Sequence, residues 1–240
     1  RQALLRGIGG SRPTAESRVL IGAVASRIDR FFSDAEREAI RAATAEAEQR
    51  TAGELVVYVV DRCDPHPEAA WKGALIGGAS GAVVGALLVF AFGGWGARDD
   101  LWLLTGLQLG LVAGWLCSRI DWVARSLVGA EALESRVDGR AAEAFIDERV
   151  FDTAKRTGVL IFVALFEHRV LVLADEGIRA QVAPNAWDGI AEDIARGIRD
   201  GHAARALTEA VGRCADILSE HGVPANTTNE LSNEPRFRDD

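Results

Sequence analysis

Two apolar stretches in the middle of the chain constrain its fold more than any other feature. The first covers residues 74–95 and the second residues 101–118, and neither contains a charged side chain. A short polar linker, residues 96–100, joins them. Because a bilayer core requires roughly 20 apolar residues per helix, the two stretches predict a transmembrane helical hairpin over residues 73–118.

Glycines recur at every fourth position along both stretches. Residues four apart share one face of a helix, and missing side chains on that face let two helix backbones approach closely in lipid. We predict that the two helices pack on each other within one chain. Use of the same face by a second subunit, giving a homo-oligomer, is the alternative. The predicted packing residues are Gly73, Gly77, Gly81, Gly85, Gly106, Gly110 and Gly114.

The hairpin interrupts a sequence that is typical of one soluble α/β domain. Ser33 and Glu36 have the spacing of a capping box and begin a predicted helix rich in Ala, Glu and Arg. Two continuous apolar runs, 55–60 and 159–166, predict strands that are buried on both faces. A third strand is predicted for 169–174, and helices are predicted for 120–150, 184–199 and 203–220.

These elements divide the chain into five parts. Residues 1–32 are predicted to form a flexible Arg-rich arm, and residues 33–67 form the first part of the α/β domain. Residues 73–118 form the hairpin. Residues 119–222 contain a juxtamembrane helix and the second part of the domain, and residues 223–240 form a disordered tail. Strands on both sides of the hairpin need a common sheet, so both soluble segments must lie on one side of the membrane. Two crossings satisfy that condition.

Charge and cysteine content narrow the partners and the compartment. The chain has 27 basic and 35 acidic residues, a formal net charge of −8, which argues against nucleic acid as a partner because phosphate binding needs a positive surface. The three cysteines form no disulfide framework. Five basic residues flank the apolar stretches on the side of the soluble domain, whereas the linker between the stretches contains Arg98 alone. Because basic residues beside membrane helices are more frequent on the cytoplasmic side, this difference favours a cytoplasmic domain. The five are Arg62, Lys72, Arg119, Arg125 and Arg136.

Several segments of the chain are distinctive in combination. They are residues 156–163, 167–170 and 173–178, with 51–57, Trp187, Asn229-Glu230-Leu231 and Pro235. They resemble the TPM domain family, in particular its bacterial membrane-protein branch, over about residues 34–62 and 140–235. The resemblance implies a three-layer α/β/α domain with the hairpin inserted, in a bacterial inner membrane that the chain crosses twice.

The resemblance also implies candidate chemistry. Some members of the family are described as acid phosphatases or as binding calcium, and others act in the assembly or maintenance of membrane complexes. The family's acidic site commonly uses an Asp just before the glycine that opens the second strand, where this chain has Thr157 before Gly158. Asp175 matches the acid after the third strand and is the candidate calcium ligand, whereas Arg156 would oppose a cation.

We therefore predict a non-enzymatic interaction or assembly module with membrane lipid and a membrane-associated protein as partners. The alternative is a divalent-cation-dependent phosphatase of the same family. No catalytic residue is predicted, and calcium is the one candidate cofactor.

Other polar clusters give weaker signals. Residues 61–66 offer Asp61, Cys63, Asp64 and His66 as zinc donors, without a second half of recognisable spacing. Residues 167–169 could act as an acid–base group, but they lie at a predicted two-residue turn, 167–168, between two apolar strands, where polar side chains are expected. Asp152 and Thr153 could complete a metal site at Asp175 if the fold brought them close.

Overall fold

The structure, a computed structural model, describes residues 27–51, 53–91, 99–220 and 231–239. These residues form a mixed α/β fold in which a small four-stranded sheet carries helices on both faces. The helices are α1 (Arg27–Phe31), α2 (Asp34–Arg50), α3 (Pro67–Ala91), α4 (Asp99–Cys117), α5 (Asp121–Val128), α6 (Ala130–Asp147), α7 (Glu176–Arg179), α8 (Asp188–Arg199) and α9 (Ala203–Glu220). The strands are β1 (Glu54–Val60), β2 (Gly158–Ala164), β3 (Arg169–Ala174) and β4 (Arg236–Arg238).

The sheet has the strand order β3-β2-β1-β4. β1 pairs in parallel with β2, in a register that places Glu54 opposite Gly158 and Val60 opposite Ala164. β3 is antiparallel to β2, and β4 is parallel to β1. The edge where β1 and β2 end and β3 begins is called the carboxyl edge below. The opposite edge, where β1 and β2 begin, is called the amino edge.

Two hydrophobic cores lie on opposite faces of the sheet. Alternate residues of β1, such as Val57 and Val59, pack with residues of α2, α8 and α9. The intervening residues, such as Val56 and Tyr58, pack with α6. All seven residues of β1 and of β2 are buried. This two-sided burial confirms the strands predicted from continuous apolar runs.

The capping box predicted for the first long helix is present. The Ser33 side chain accepts a hydrogen bond from the Glu36 N–H, and Glu36 Oε2 accepts one from the Ser33 N–H at 2.8 Å. The single helix predicted for 120–150 is wrong, because the chain breaks into α5 and α6 at Gly129. That residue has φ 93° and ψ 149°, a conformation that glycine adopts without steric cost.

Both termini of the domain differ from the predicted flexible arm and disordered tail. β4 adds to the free edge of β1, with Tyr58 opposite Arg236. Phe237 packs against Phe32 with 5.3 Å between ring centroids, and Ile28 is buried in the same core. The free backbone groups of β1 and this aromatic contact hold 231–239 and 27–32 against the domain. Residues 1–26 and 221–230 of the predicted arm and tail lie outside the described residues.

Helices α3 and α4 pack on each other in opposite directions between β1 and β2 in the chain. By length and composition, α3 is apolar and long enough to cross a membrane. The apolar part of α4, residues 101–117, reaches that length only together with α5, and the two are bent by 101°. By this criterion the described helices include one candidate span, α3, and a bent pair, α4 with α5, that counts as a second span only if the two helices cross together.

Candidate functional sites at the two edges of the sheet

The glycines of the apolar helices line the contact between α3 and α4. A methyl group added at Gly73 would lie 2.7 Å from the carbonyl oxygen of Gly114, and one at Gly85 would lie 2.9 Å from that of Trp102. Both distances are too short for a side chain, so the backbones meet directly. The facing pairs are Gly73 with Gly114, Gly77 with Gly110, and Gly81 with Gly106.

At the amino edge, Asp175 follows β3 and caps the short helix α7. Its Oδ1 accepts a hydrogen bond from the Glu176 N–H at 2.7 Å. Its Oδ2 lies 2.9 Å from Nε of Arg156, which reaches it from the turn before β2. Gly177 permits this close packing, since an added methyl group there would lie 2.6 Å from the Arg156 carbonyl oxygen.

This arrangement commits both carboxylate oxygens of Asp175 and places a positive charge beside them. The other potential ligands have contacts within the segment before β2: Thr153 Oγ1 accepts a hydrogen bond from the Thr157 N–H at 2.9 Å, and the exposed Asp152 lies 4.0 Å from Arg149. Across the described ranges no group of three or more His, Cys, Asp or Glu side chains is placed to hold a metal ion. The geometry suits a structural ion pair better than a cation site.

At the carboxyl edge, the parallel pairing of β1 and β2 brings Glu167 beside the segment that leads into α3. Its Oε1 lies 2.9 Å from Nε2 of His66 and accepts a hydrogen bond from the Cys63 N–H at 3.0 Å. The side chains of His66 and Glu167 are only 1% and 0% exposed. Asp64 shapes the turn by accepting from the His66 N–H at 2.7 Å, and Pro67 takes the first helical position, which suits it.

Arg136, on α6, reaches the other ring nitrogen of His66. Its guanidinium contacts Nδ1 of His66 and lies 2.6 Å from Glu68 and 3.6 Å from Asp64. A guanidinium only donates hydrogen bonds, so Nδ1 accepts and the Nε2–H of His66 donates to Glu167. We call Asp64, His66, Glu68, Arg136 and Glu167 the junction network.

Phe166 completes this junction beneath the two apolar helices. It is fully buried in a small core with Ala69 of α3 and residues of α5 and α6. The His66 ring stacks on it at 5.2 Å, and the Arg62 guanidinium lies 3.8 Å from its centroid. Arg125 donates a hydrogen bond to the Phe166 carbonyl oxygen at 3.1 Å. Aromatic, cationic and hydrogen-bonding contacts thus tie the helical pair to the sheet.

The central pair of the junction network, His66 and Glu167, is shielded from solvent, and the network links the start of α3 to α6 and to the end of β2. The sequence presented residues 61–66 and 167–169 as two separate weak candidates. The structure joins His66 of the first to Glu167 of the second. The signal that could have paired them is the parallel arrangement of β1 and β2, since the carboxyl ends of parallel strands meet at one edge of a sheet.

A partly buried acid, Glu48, lies near the amino edge. Glu48 accepts hydrogen bonds from the Leu55 N–H at 3.0 Å and from the Asn233 side chain. Glu54 is 5% exposed and accepts a hydrogen bond from the Leu231 N–H at 3.2 Å. Burial, together with the nearby charge of Glu54, raises the pKa of Glu48 to about 7. These two acids hold the C-terminal segment against β1.

Comparisons with known proteins bear on the fold alone. No protein-family model and no curated protein matches the chain. The chain is similar to the NMR structure of the BA42 protein from the psychrophilic bacterium Bizionia argentinensis, with a TM-score of 0.54 and 19% sequence identity. The likeness covers 89% of this chain and 99% of that one. At this identity it supports a mixed α/β fold shared over nearly the whole length.

Proposed function

We propose that this protein is a membrane-anchored, TPM-like α/β module that acts by binding a membrane-associated protein partner and not by catalysis. In this proposal the sheet and its two helical faces form a three-layer α/β/α domain. Helices α3 and α4 form a transmembrane hairpin inserted between β1 and β2, in a bacterial inner membrane. The domain lies on the cytoplasmic side.

The apolar outer surface of α3 and α4 carries the proposal. Among the described residues, 17 of the 20 large hydrophobic side chains that are exposed belong to these two helices, with Phe90 exposed by 88% and Leu109 by 66%. Only 11% of the most apolar part of α3 is buried. A soluble monomer rarely exposes so large a continuous apolar surface, whereas a lipid-facing helix pair requires one.

The bend after α4 supports two crossings followed by a surface helix. α3 has 25 residues and a length of about 37 Å, enough to exceed a hydrocarbon core of about 30 Å. α4 has 19 residues and packs along α3 through the facing glycines. The turn of 101° into α5 would then lay α5 along the membrane surface, where the exposed Trp122 suits the interface.

The contacts of Asp175 favour a protein-binding role for the domain over hydrolysis of a phosphate ester. The candidate cation ligand of the phosphatase alternative is held by Arg156 and by the start of α7. A domain fixed beside the bilayer, in contrast, has a high effective concentration for membrane-bound partners. The junction network supports this use, because it holds the domain close to the base of the hairpin.

Crosslinking in intact cells, followed by purification of the full chain in detergent, tests the proposal. We expect one specific membrane protein to be recovered with the wild type and equally with Asp175→Ala, since Asp175 is buried within the domain. Recovery of no specific partner, together with hydrolysis of a phosphomonoester that Asp175→Ala abolishes, would replace the proposal with the phosphatase alternative. Equal hydrolysis by both proteins would remove Asp175 as its site.

A further inference from the structure

A cavity of about 370 Å³ opens at the carboxyl edge, between the end of α8, the start of β3 and α1. Its inner wall is apolar and includes Phe31, Leu165, Val170 and Ile198. This volume lies within the range of small-molecule sites, which are mostly apolar with a few polar groups that orient the ligand. The cavity is separate from the junction network, although both lie at the same edge of the sheet.

The mouth of the cavity is positively charged in a chain that is acidic overall. Arg169 and Arg199 line it and carry this charge, His168 lies beside them, and the described lining residues include no acidic side chain. Arg169 lies 3.5 Å from Glu134. The Arg199 side chain is exposed and has no hydrogen bond or ion pair with any described residue. An unpaired guanidinium over an apolar wall is suited to an anionic group that carries an apolar body.

His168 lies near further arginines, of which Arg27 forms ion pairs with Asp61 and Asp121. Burial, and next the charges of Arg125 and Arg27, lower the pKa of the His168 imidazole, while Asp121 acts in the opposite direction. The two arginines belong to α5 and α1, at the base of the helical pair. His168 lies two residues after Phe166, whose carbonyl oxygen accepts a hydrogen bond from Arg125 of α5, so the cavity and the base of the helical pair share the carboxyl edge of the sheet.

We propose that this cavity binds the headgroup of an acidic phospholipid from the adjacent bilayer. Arg199 and Arg169 contact the phosphate, and the glycerol and the first part of an acyl chain lie against the apolar wall. The inference rests on the proposed membrane anchoring, because it requires the lipid to reach the cavity from the bilayer surface.

The test measures how much phosphatidylglycerol and phosphatidylcholine remain bound to the full chain when it is released from nanodiscs containing both lipids. Three variants accompany the wild type: Arg199→Gln removes the free charge, Ala195→Phe fills the cavity without changing charge, and Arg179→Gln is the control. Arg179 matches Arg199 as an exposed arginine at the end of a helix, but it lies at the amino edge. Inorganic phosphate is added in a parallel series as a competitor.

We expect wild type and Arg179→Gln to retain phosphatidylglycerol selectively, and Arg199→Gln and Ala195→Phe to retain it about tenfold less. Binding should also raise the pKa of His168, followed by NMR of the imidazole. Equal retention of the two lipids by the wild type, or equal loss in Arg179→Gln and Arg199→Gln, would overturn the inference. Displacement by inorganic phosphate alone at low concentration would show a free-phosphate site and also overturn it. Each of these three results leaves the proposed membrane anchoring intact if all four proteins stay in carbonate-washed membranes.

Discussion

Glu48 should make the stability of the α/β domain decrease as the pH rises through neutrality. Burial is the main cause that raises its pKa from 4.5 to about 7, and the charge of Glu54 adds to it. The folded state therefore binds this proton more tightly than the unfolded state. The stabilisation is complete below about pH 4.5 and is lost as the pH rises past about 7.

The size of the effect follows from the two pKa values. The difference between 4.5 and about 7 corresponds to about 3 kcal/mol of unfolding free energy. Glu48 retains some contact with water, which screens the penalty and leaves about 1–2 kcal/mol. The variant Glu48→Gln removes the charge while keeping the shape. It should be more stable than the wild type by that amount at about pH 8 and nearly equal to it at about pH 5.

Denaturant unfolding of the detergent-solubilised protein can measure this, with labelling of the buried Cys214 thiol as the probe of the α/β core. Cys63 and Cys117 are replaced by serine, and labelling is normalised to unfolded protein at each pH. Glu46→Gln, at an exposed position on the same helix, is the matched control and should follow the wild type. Parallel pH profiles for the wild type and Glu48→Gln would refute the reasoning.

Three further predictions concern the hairpin, the amino edge and the junction. Gly81→Ala should destabilise the packing of α3 on α4 by about 1–3 kcal/mol, measured by thermal unfolding, because the added methyl group would meet the facing backbone. The control Gly139→Ala should not be destabilising, because an added methyl group there would have no atom within 4 Å. Calorimetric titration with calcium should give no saturable heat, and saturable binding that Asp175→Ala removes would restore the metal site. Glu167→Ala should lower the free energy of unfolding by about 2–3 kcal/mol, because it leaves the Nε2–H of His66 without its acceptor. The loss should appear as faster proteolysis at the base of the hairpin, and unchanged proteolysis would contradict the role of Glu167.

Local sequence patterns were sufficient for much of the fold. The capping box at Ser33, the buried strands and the turn at 167–168 depend on neighbouring residues and were predicted correctly. The break at Gly129 was missed because glycine is tolerated within a helical pattern, and only the tertiary packing of α5 and α6 shows that the chain turns there. β4 was missed because a three-residue strand with two arginines has almost no signal of its own and is stabilised by the edge of β1.

In the candidate sites, contacts between residues that are far apart in the chain were also harder to predict than local ones. Asp175 and Arg156 could be placed at one edge from the expected strand directions, and the ion pair between them is present. The pairing of His66 with Glu167 spans 101 residues and depends on the register of β1 against β2. The cavity beside Arg199 combines three elements that are far apart in the chain, so no local pattern could reveal it.

The central claim is that α3 and α4 both cross the membrane and leave the α/β domain on the cytoplasmic side. Labelling with a membrane-impermeant maleimide tests it most directly, in proteins whose native cysteines are replaced and that carry either Ala97→Cys in the linker or Asp152→Cys in the domain. We predict that the linker cysteine reacts in intact cells, whereas the domain cysteine reacts only after permeabilisation. Reaction of both cysteines only after permeabilisation, or release of the protein by carbonate, would contradict the account.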